Sequence, residues 1–341
     1  MTVTARPTAH QALYRRWRAQ TFGQILGQDA VVTTLRNAVR DGRVAHALLF
    51  VGPRGTGKTS TARIVAKALN CPNVRDGEPC DACPSCDAIR EGRALDVIEL
   101  DAASNNKVDD IRDLLRSVAT GPSDLRRKVF IIDEVQRIKE GWDVLLKTLE
   151  EPPDHVAFIF CTTDSSGIRP AVLSRVQRFD FRRMAVDRIV AKLRMILEAD
   201  GHVADDDAVT LIAELAAGGM RDAESMLDQL LGSGVERITA EQVRELLGMA
   251  DGAAVERYVR SLVAGAPLDG IAVLDELEQR GRDPRVFLDQ VVDALRAALI
   301  AGLGERSGPD AAAVADAARR LAAIDPTGPA AGGLRFQLGS W

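Results

Sequence analysis

No run of the sequence approaches the roughly 20 consecutive apolar residues that a membrane helix needs. The opening residues, Met1-Thr2-Val3-Thr4-Ala5-Arg6-Pro7, lack the apolar core of a secretion signal. Together these absences predict a cytoplasmic protein with no membrane partner. A net basic charge is missing too. The formal charge is −5, which excludes a wholesale cationic surface for nucleic acid and leaves only local binding, through one lined channel. Cysteine is scarce, at five residues, and unevenly spent: Cys71, Cys80, Cys83 and Cys86 cluster, while Cys161 stands apart. In a reducing compartment such a cluster reads as metal ligands before disulfides. The rest of the composition is that of an ordinary soluble protein, and 341 residues predict two or three domains.

What is there begins with Gly52-Pro53-Arg54-Gly55-Thr56-Gly57-Lys58-Thr59, a full G-x-x-x-x-G-K-[ST] loop. Ala47–Val51 before it is all apolar, as a buried parallel strand is. After it, Ala62, Val65, Ala66 and Leu69 recur at the spacing of a helix with one buried face. Glycines in this setting let backbone N–H groups turn toward phosphate oxygens, and the helix N-terminus adds positive potential. Lys58 is expected to reach the β- and γ-phosphates of ATP, and Thr59 to ligate Mg²⁺. The loop and Ser60 after it are the candidate nucleotide site.

The pattern Cys71-x8-Cys80-x2-Cys83-x2-Cys86 lies among turn-forming residues (Asp76, Gly77, Pro79, Pro84). Four thiolates can surround Zn²⁺ tetrahedrally, and an all-sulfur site with no position for water is structural. The alternative is four reduced thiols. Cys161, alone, reads as a small buried residue.

A second strand is expected at Leu95–Leu100 and a third at Lys128–Ile132, which ends in Asp133-Glu134. An acidic pair at the carboxyl end of a buried strand lies where open α/β sheets place ligands. Asp133 can hold Mg²⁺, and Glu134 can orient and deprotonate a water aimed at the γ-phosphate. Val156–Phe160 is a fourth strand, followed by Cys161-Thr162-Thr163-Asp164. Phe179-Asp180-Phe181 alternates like an edge strand. The basic, aromatic run Tyr14-Arg15-Arg16-Trp17-Arg18 has two readings, a solvated face or a segment that closes over the nucleotide base, and spacing leaves both open. From Val186 onward only helical periodicity is visible, and a helix is predicted over 311–323. Residues 1–11 and the last dozen read as loose. The expected domains are 1–184, with a knuckle at 71–86, then a helical lid at 185–247 and a helical collar at 248–341.

Several segments together carry a resemblance: YRRWRAQTF at 14–22, GQ at 27–28, GPRGTGKTSTAR at 52–63, the four cysteines, LDVIELDAAS at 95–104, IIDEVQRI at 131–138, LLKTLEEPP at 145–153, CTTD at 161–164, LSR at 173–175 and GGMRDAESMLDQ at 218–229. Over about residues 11–247 the chain resembles the gamma/tau subunits of bacterial DNA polymerase III, AAA+ ATPases of the clamp loader. The resemblance implies a P-loop NTPase with a parallel sheet, followed by helical lid and collar domains. It implies a pentameric ring with delta and delta-prime subunits and further copies of the chain. That ring uses ATP to open the sliding clamp and load it on primer–template DNA. It implies that Thr163 is sensor 1, that Arg175 is an arginine finger acting on the neighbouring subunit's ATP, and that Arg221 is sensor 2. Ala19, Gln136 and Val176 depart from the family's usual proline, histidine and cysteine. The chain stops at Trp341, which by this resemblance suits the shorter gamma form or a truncated chain. Asn105, Asn106 and Lys107 are the candidate DNA contacts. Two other classes fit less well. A non-hydrolysing delta-prime-like scaffold is disfavoured by the intact Lys58, Thr59, Asp133 and Glu134. A Holliday-junction motor or remodelling chaperone is disfavoured by the cysteine knuckle and the Ser-Arg step.

Overall fold

Five parallel strands form the sheet: β1 (Ala47–Val51), β2 (Val97–Asp101), β3 (Lys128–Asp133), β4 (Val156–Thr162) and β5 (Gln177–Asp180). The computed structural model describes residues 11–105, 108–138, 141–304 and 314–319. The expected lead up to residue 10, the candidate contacts Asn106 and Lys107, and the tail beyond 319 lie outside these. Of the helix predicted over 311–323, residues 314–319 are helical and the rest also lies outside.

Strand order is β2-β3-β4-β1-β5. The three central strands are the ones apolar along nearly their whole length, because each is covered on both faces. Side chains alternate between the faces. Leu49, Phe130, Ile132, Phe158 and Phe160 pack one way against Trp142, Leu145 and Ile111. Leu48, Phe50, Val129, Ile131 and Ile159 pack the other way against Leu35, Ala62 and Val65. The helical layer on this second face holds α2 (Asp29–Arg40) and α3 (Lys58–Asn70), with α4 (Pro84–Arg90) packed on α3; α1 (Leu13–Arg16) precedes them in the chain. The opposite layer includes α5 (Val108–Val118), α6 (Trp142–Glu150) and the short α7 (Pro170–Leu173). Strand β5 is at the edge, as its alternation predicts.

Asp96, just before β2, shows how a loop is tied down. Its buried carboxylate accepts from the backbone N–H groups of Ser123, Asp124 and Leu125 at 2.8–3.0 Å. Burial alone pushes its pKa up, but these donors outweigh that and hold it below the usual carboxylate range.

Three lid helices follow: α8 (Val186–Asp200), α9 (Asp206–Leu215) and α10 (Met220–Gly232). Ile189, Leu193, Ile196, Ala208, Ile212, Ala223 and Leu227 are buried along them. The chain divides into two compact units, Met1–Glu236 and Arg237–Trp341. The second unit holds α11 (Ala240–Leu246), α12 (Gly252–Ala264), α13 (Pro267–Gln279) and α14 (Pro284–Gly304). Helix α11 opens on a capping box between Thr239 and Gln242. Tyr258 and Phe287 meet edge to face at 5.0 Å in this unit's own core.

Two details differ from the sequence reading. Val203–Ala204 and Arg237–Ile238 are short extended segments where only helix was expected. Two residues are too few to show a period of two. The knuckle also contains helix α4, started by Pro84 at its first position and too short to betray an apolar face. No described helix is long and apolar enough to cross a membrane.

Candidate nucleotide and metal sites

The phosphate loop leaves β1 at Gly52, whose N–H donates to the Thr162 carbonyl at 3.1 Å. A Cβ at Gly52 would lie 2.3 Å from the Phe181 carbonyl oxygen, so only glycine fits between β1 and the chain leaving β5. Gly57 takes a left-handed conformation (φ +97°) and starts α3. Lys58 follows, with its Nζ 2.7 Å from the carbonyl oxygens of both Gly52 and Pro53. Burial lowers the Lys58 pKa, against the charges of Asp133 and Glu134 nearby. The Thr59 hydroxyl donates to Asp133 Oδ2 at 2.7 Å. Two groups expected to share a magnesium ion are therefore already in contact.

Gly57, Lys58, Thr59 and Asp133 line one cavity of about 720 Å³, a size that suits a small-molecule ligand, while Gly52 and Pro53 are not part of its lining. Arg54 through Ser60, Asp133, Glu134, Thr163 and Arg221 all border it. Arg18, Arg137 and Lys192 add further positive charge. Burial and the neighbouring charge of Arg63 lower the Arg18 pKa. Crowded, partly desolvated cations favour an anionic occupant. The lid closes one side: the Met220 N–H donates to the Gly55 carbonyl at 3.0 Å. Glu134 sits in the left-handed region (φ +50°, ψ +40°), an uncommon conformation for glutamate at the mouth of a site.

Arg175 is not brought into this cavity. It leaves the end of α7 and pairs with Glu150 at 2.8 Å while donating to the Ala171 carbonyl at 2.7 Å. Asn105 bonds back to the Asp101 carbonyl at 3.1 Å and to Ser104 at 3.0 Å.

The basic, aromatic run lines the cavity, through Tyr14, Trp17 and Arg18. The Arg221 guanidinium lies 4.8 Å from the Tyr14 ring centroid, and Lys192 lies 5.1 Å from that of Trp17. Arg16 pairs with Asp200. Helix α1 is thus fastened to lid helices α8 and α10 by alternating aromatic and ionic contacts.

Glu224, on α10, also borders the cavity and is only 5% exposed. Burial pushes its pKa up to about 7, partly opposed by Lys192. The folded chain therefore holds a proton that the unfolded chain has lost above its ordinary value of 4.5. Stability from this group is full below that value, falls as pH rises, and is gone above about 7. Glu224→Gln is expected to flatten this slope and raise the melting temperature at pH 8 by about 5 °C. Thermal melts of both proteins between pH 5 and 8 read it directly, and parallel curves would contradict it.

The four clustered cysteines converge. Their sulfurs all lie within 4.8 Å of one another, with Cys71 Sγ 3.4 Å from Cys80 and 3.9 Å from Cys83. A tetrahedral zinc with Zn–S bonds near 2.3 Å places its ligands about 3.8 Å apart, so this set fits. Backbone N–H groups led by that of Ala82 lower the Cys80 pKa to about 6, while burial raises those of Cys71 and Cys86. The knuckle is anchored to the loop helix by buried Lys67, which bonds Asp81 at 2.7 Å and Gln20 at 2.5 Å.

Comparison with known proteins places this geometry. A family model described as DNA polymerase III, delta subunit matches residues 27–185. A second, for the DNA polymerase III clamp loader subunit ATPase lid domain, matches 188–236. A third, for domain III of DNA polymerase III subunits gamma and tau, matches 238–330. The chain is 41% identical over 293 residues to DNA polymerase III subunit tau of Bacillus subtilis, covering 86% of this chain and 52% of that one. It is 39% identical over 322 residues to the Escherichia coli subunit tau, covering 94% and 50%. The chain belongs to the DNA polymerase III gamma/tau family. It spans about half the length of these gamma/tau relatives. Among solved structures it is similar to the RuvB Holliday junction branch migration motor of Thermotoga maritima, with a TM-score of 0.51, 20% identity, and coverage of 72% of this chain and 79% of that one. That likeness speaks to the fold, which is AAA+.

Within this gamma/tau chain, sequence reasoning did not single out Glu224, Lys67 or the bonding role of Gln136. Glu224 had a signal: it falls on the apolar stripe of Ala223, Leu227 and Leu230, where a carboxylate is out of place. Lys67 similarly lies on the buried side of α3. Two of the three partners of Gln136, Thr162 and Thr163, come from the end of another strand, and no local spacing reveals them.

Proposed function

We propose that this chain is an ATP-hydrolysing subunit of the DNA polymerase III clamp loader, working in the cytoplasm. The observation that carries the reading is the meeting of Thr59 and Asp133 beside Lys58, at the foot of a cation-lined cavity. ATP is the substrate. Backbone N–H groups from Gly52 to Thr59 and the Lys58 ammonium would hold its phosphates. Mg²⁺, held by Thr59 and Asp133, would offset charge on the β- and γ-phosphate oxygens. Glu134 would align and deprotonate the attacking water, with Thr163 beside it as sensor 1. Arg221, released from Tyr14, would reach the γ-phosphate from the lid. Arg175 points away from its own cavity, which suits a finger offered to a neighbouring subunit. Partners under this reading are delta and delta-prime subunits, further copies of the chain in a pentameric ring, the sliding clamp and primer–template DNA. Zn²⁺ would be structural, on Cys71, Cys80, Cys83 and Cys86.

ATP turnover measured with and without partner subunits, clamp and primed DNA tests the reading. A rate that rises several-fold only with the full set supports it; a rate indifferent to all of them overturns it. The zinc assignment has its own test. Elemental analysis of freshly reduced protein should return one zinc per chain. Stripping it should lower the melting temperature, since the knuckle buries little besides its sulfurs. Metal-free protein with an unchanged melt would reject the assignment.

A further inference from the structure

We propose that Gln136 is the positioning residue for the hydrolytic end of the site, its side-chain amide holding Glu134 and Thr163 in register for the attacking water. This deepens the reading of the cavity as an ATPase site and rests on it. Gln136 lies in the single 3₁₀ turn Val135–Arg137 that follows β3. Its Nε2 donates to Glu134 Oε2 at 2.5 Å and to Thr163 Oγ1 at 3.1 Å. Its Oε1 accepts from the Thr162 hydroxyl at 2.5 Å.

The orientation of the amide follows from chemistry. An ionised carboxylate can only accept, so the NH₂ group must face Glu134. The carbonyl must then face Thr162, which has a proton to give. Thr162 is fully buried at the end of β4; its oxygen accepts from the Asp164 N–H at 3.0 Å, and its one proton is shared between Gln136 Oε1 and the Asp164 carbonyl oxygen at 2.6 Å. One amide is therefore anchored to the sheet through Thr162 and spends both of its N–H groups on the two side chains expected to handle the water.

Nothing else does this job among the described residues. No other side chain hydrogen-bonds the Glu134 carboxylate or the Thr163 hydroxyl there. Glu134 also needs holding, since its left-handed backbone is a strained start for a long side chain. The base of the side chain is packed as well: a Cβ on Gly167 would come within 3.4 Å of the Gln136 Cβ. Strand β4 and the end of β3 are adjacent in the sheet, so the bridge spans two rigid elements.

The test uses the chain assembled with its partner subunits, clamp and primed DNA. Gln136→Ala should lower kcat for ATP by about 10- to 100-fold, the loss expected when a reacting group drifts by about 1 Å. KM for ATP and the affinity for a fluorescent ATP analogue should stay within about threefold, because no phosphate contact is lost. Gln136→His should recover most of the rate, since one ring N–H can still bond Glu134. Gln136→Glu should do no better than alanine, because it sets a second carboxylate against Glu134. Normal turnover in Gln136→Ala overturns the proposal, and so does a loss of kcat matched by an equal loss of nucleotide affinity. Glu134→Gln is measured alongside. If that variant turns over normally, the ATPase reading fails and takes this proposal with it. If it is dead while Gln136→Ala is normal, only this proposal fails.

Discussion

Lys58→Ala will cost this chain its grip on ATP, with the dissociation constant rising by about 10²- to 10⁴-fold. The reasoning starts from the two carbonyls that Lys58 bonds, those of Gly52 and Pro53. They place the ammonium inside the curl of the phosphate loop, where burial has already lowered its pKa. A cation kept there has little water to lose when phosphate arrives. Each charge-assisted bond that it makes to phosphate is worth about 1.5–3 kcal/mol, and two such bonds give the expected loss. Titration with a fluorescent ATP analogue measures it. The melting temperature should move by only a few degrees, since the loop is framed independently by Gly52 against Phe181 and by Thr56, whose hydroxyl bonds the Pro53 carbonyl at 2.8 Å. An affinity unchanged from the parent, in protein that melts normally, would remove the cavity from consideration as the ATP site.

Arg175→Ala should behave in the opposite way: ATP will bind, and the assembled complex will fail to split it. The guanidinium lies outside its own cavity, on a short helix, paired with exposed Glu150. An exposed pair of this kind contributes at most about 1 kcal/mol, so removing it should not unfold the chain. A cation supplied across a subunit boundary is worth about 10³–10⁵ in rate, because it meets charge that develops only in the transition state. The drop should therefore appear in the complex and not in the isolated chain, where no neighbouring subunit offers the group. Turnover assays on both, with nucleotide binding as the control, separate the outcomes. An unchanged rate in the complex, or an equal loss in the isolated chain, would assign Arg175 to surface pairing.

These two residues show how far a sequence can be read. Lys58 was legible because its motif is local: strand, loop and helix are contiguous and the loop's backbone is set by its own glycines. The strands β1, β3 and β4 were legible for the same reason, each being apolar along nearly its whole length. The Cys71–Cys86 cluster needed only spacing. Arg175 could be named only through resemblance, since nothing around Ser174-Arg175 marks it. The surroundings of the Gln136 amide and of the Glu224 carboxylate were hidden because their partners are distant in sequence. Glu224 is near Lys192 on another helix, and Gln136 meets Thr162 and Thr163 at the end of the next strand. Helix α4 was hidden because its boundaries come from Pro84 and from the convergence of thiols, not from an amphipathic stripe.

The order of strands has a consequence for how the protein is made. Strand β1 leads into the phosphate loop, yet its two neighbours are β4 and β5. Both are encoded roughly a hundred residues downstream, so at translation speeds of about 5–20 residues per second the loop waits on the order of 5–25 s for its flanks. During that interval an apolar pentapeptide is out on the ribosome with both edges unpaired. The nascent chain should therefore be unable to capture nucleotide until β5 has emerged, and a ribosome stalled before residue 180 would display a complete motif that holds nothing.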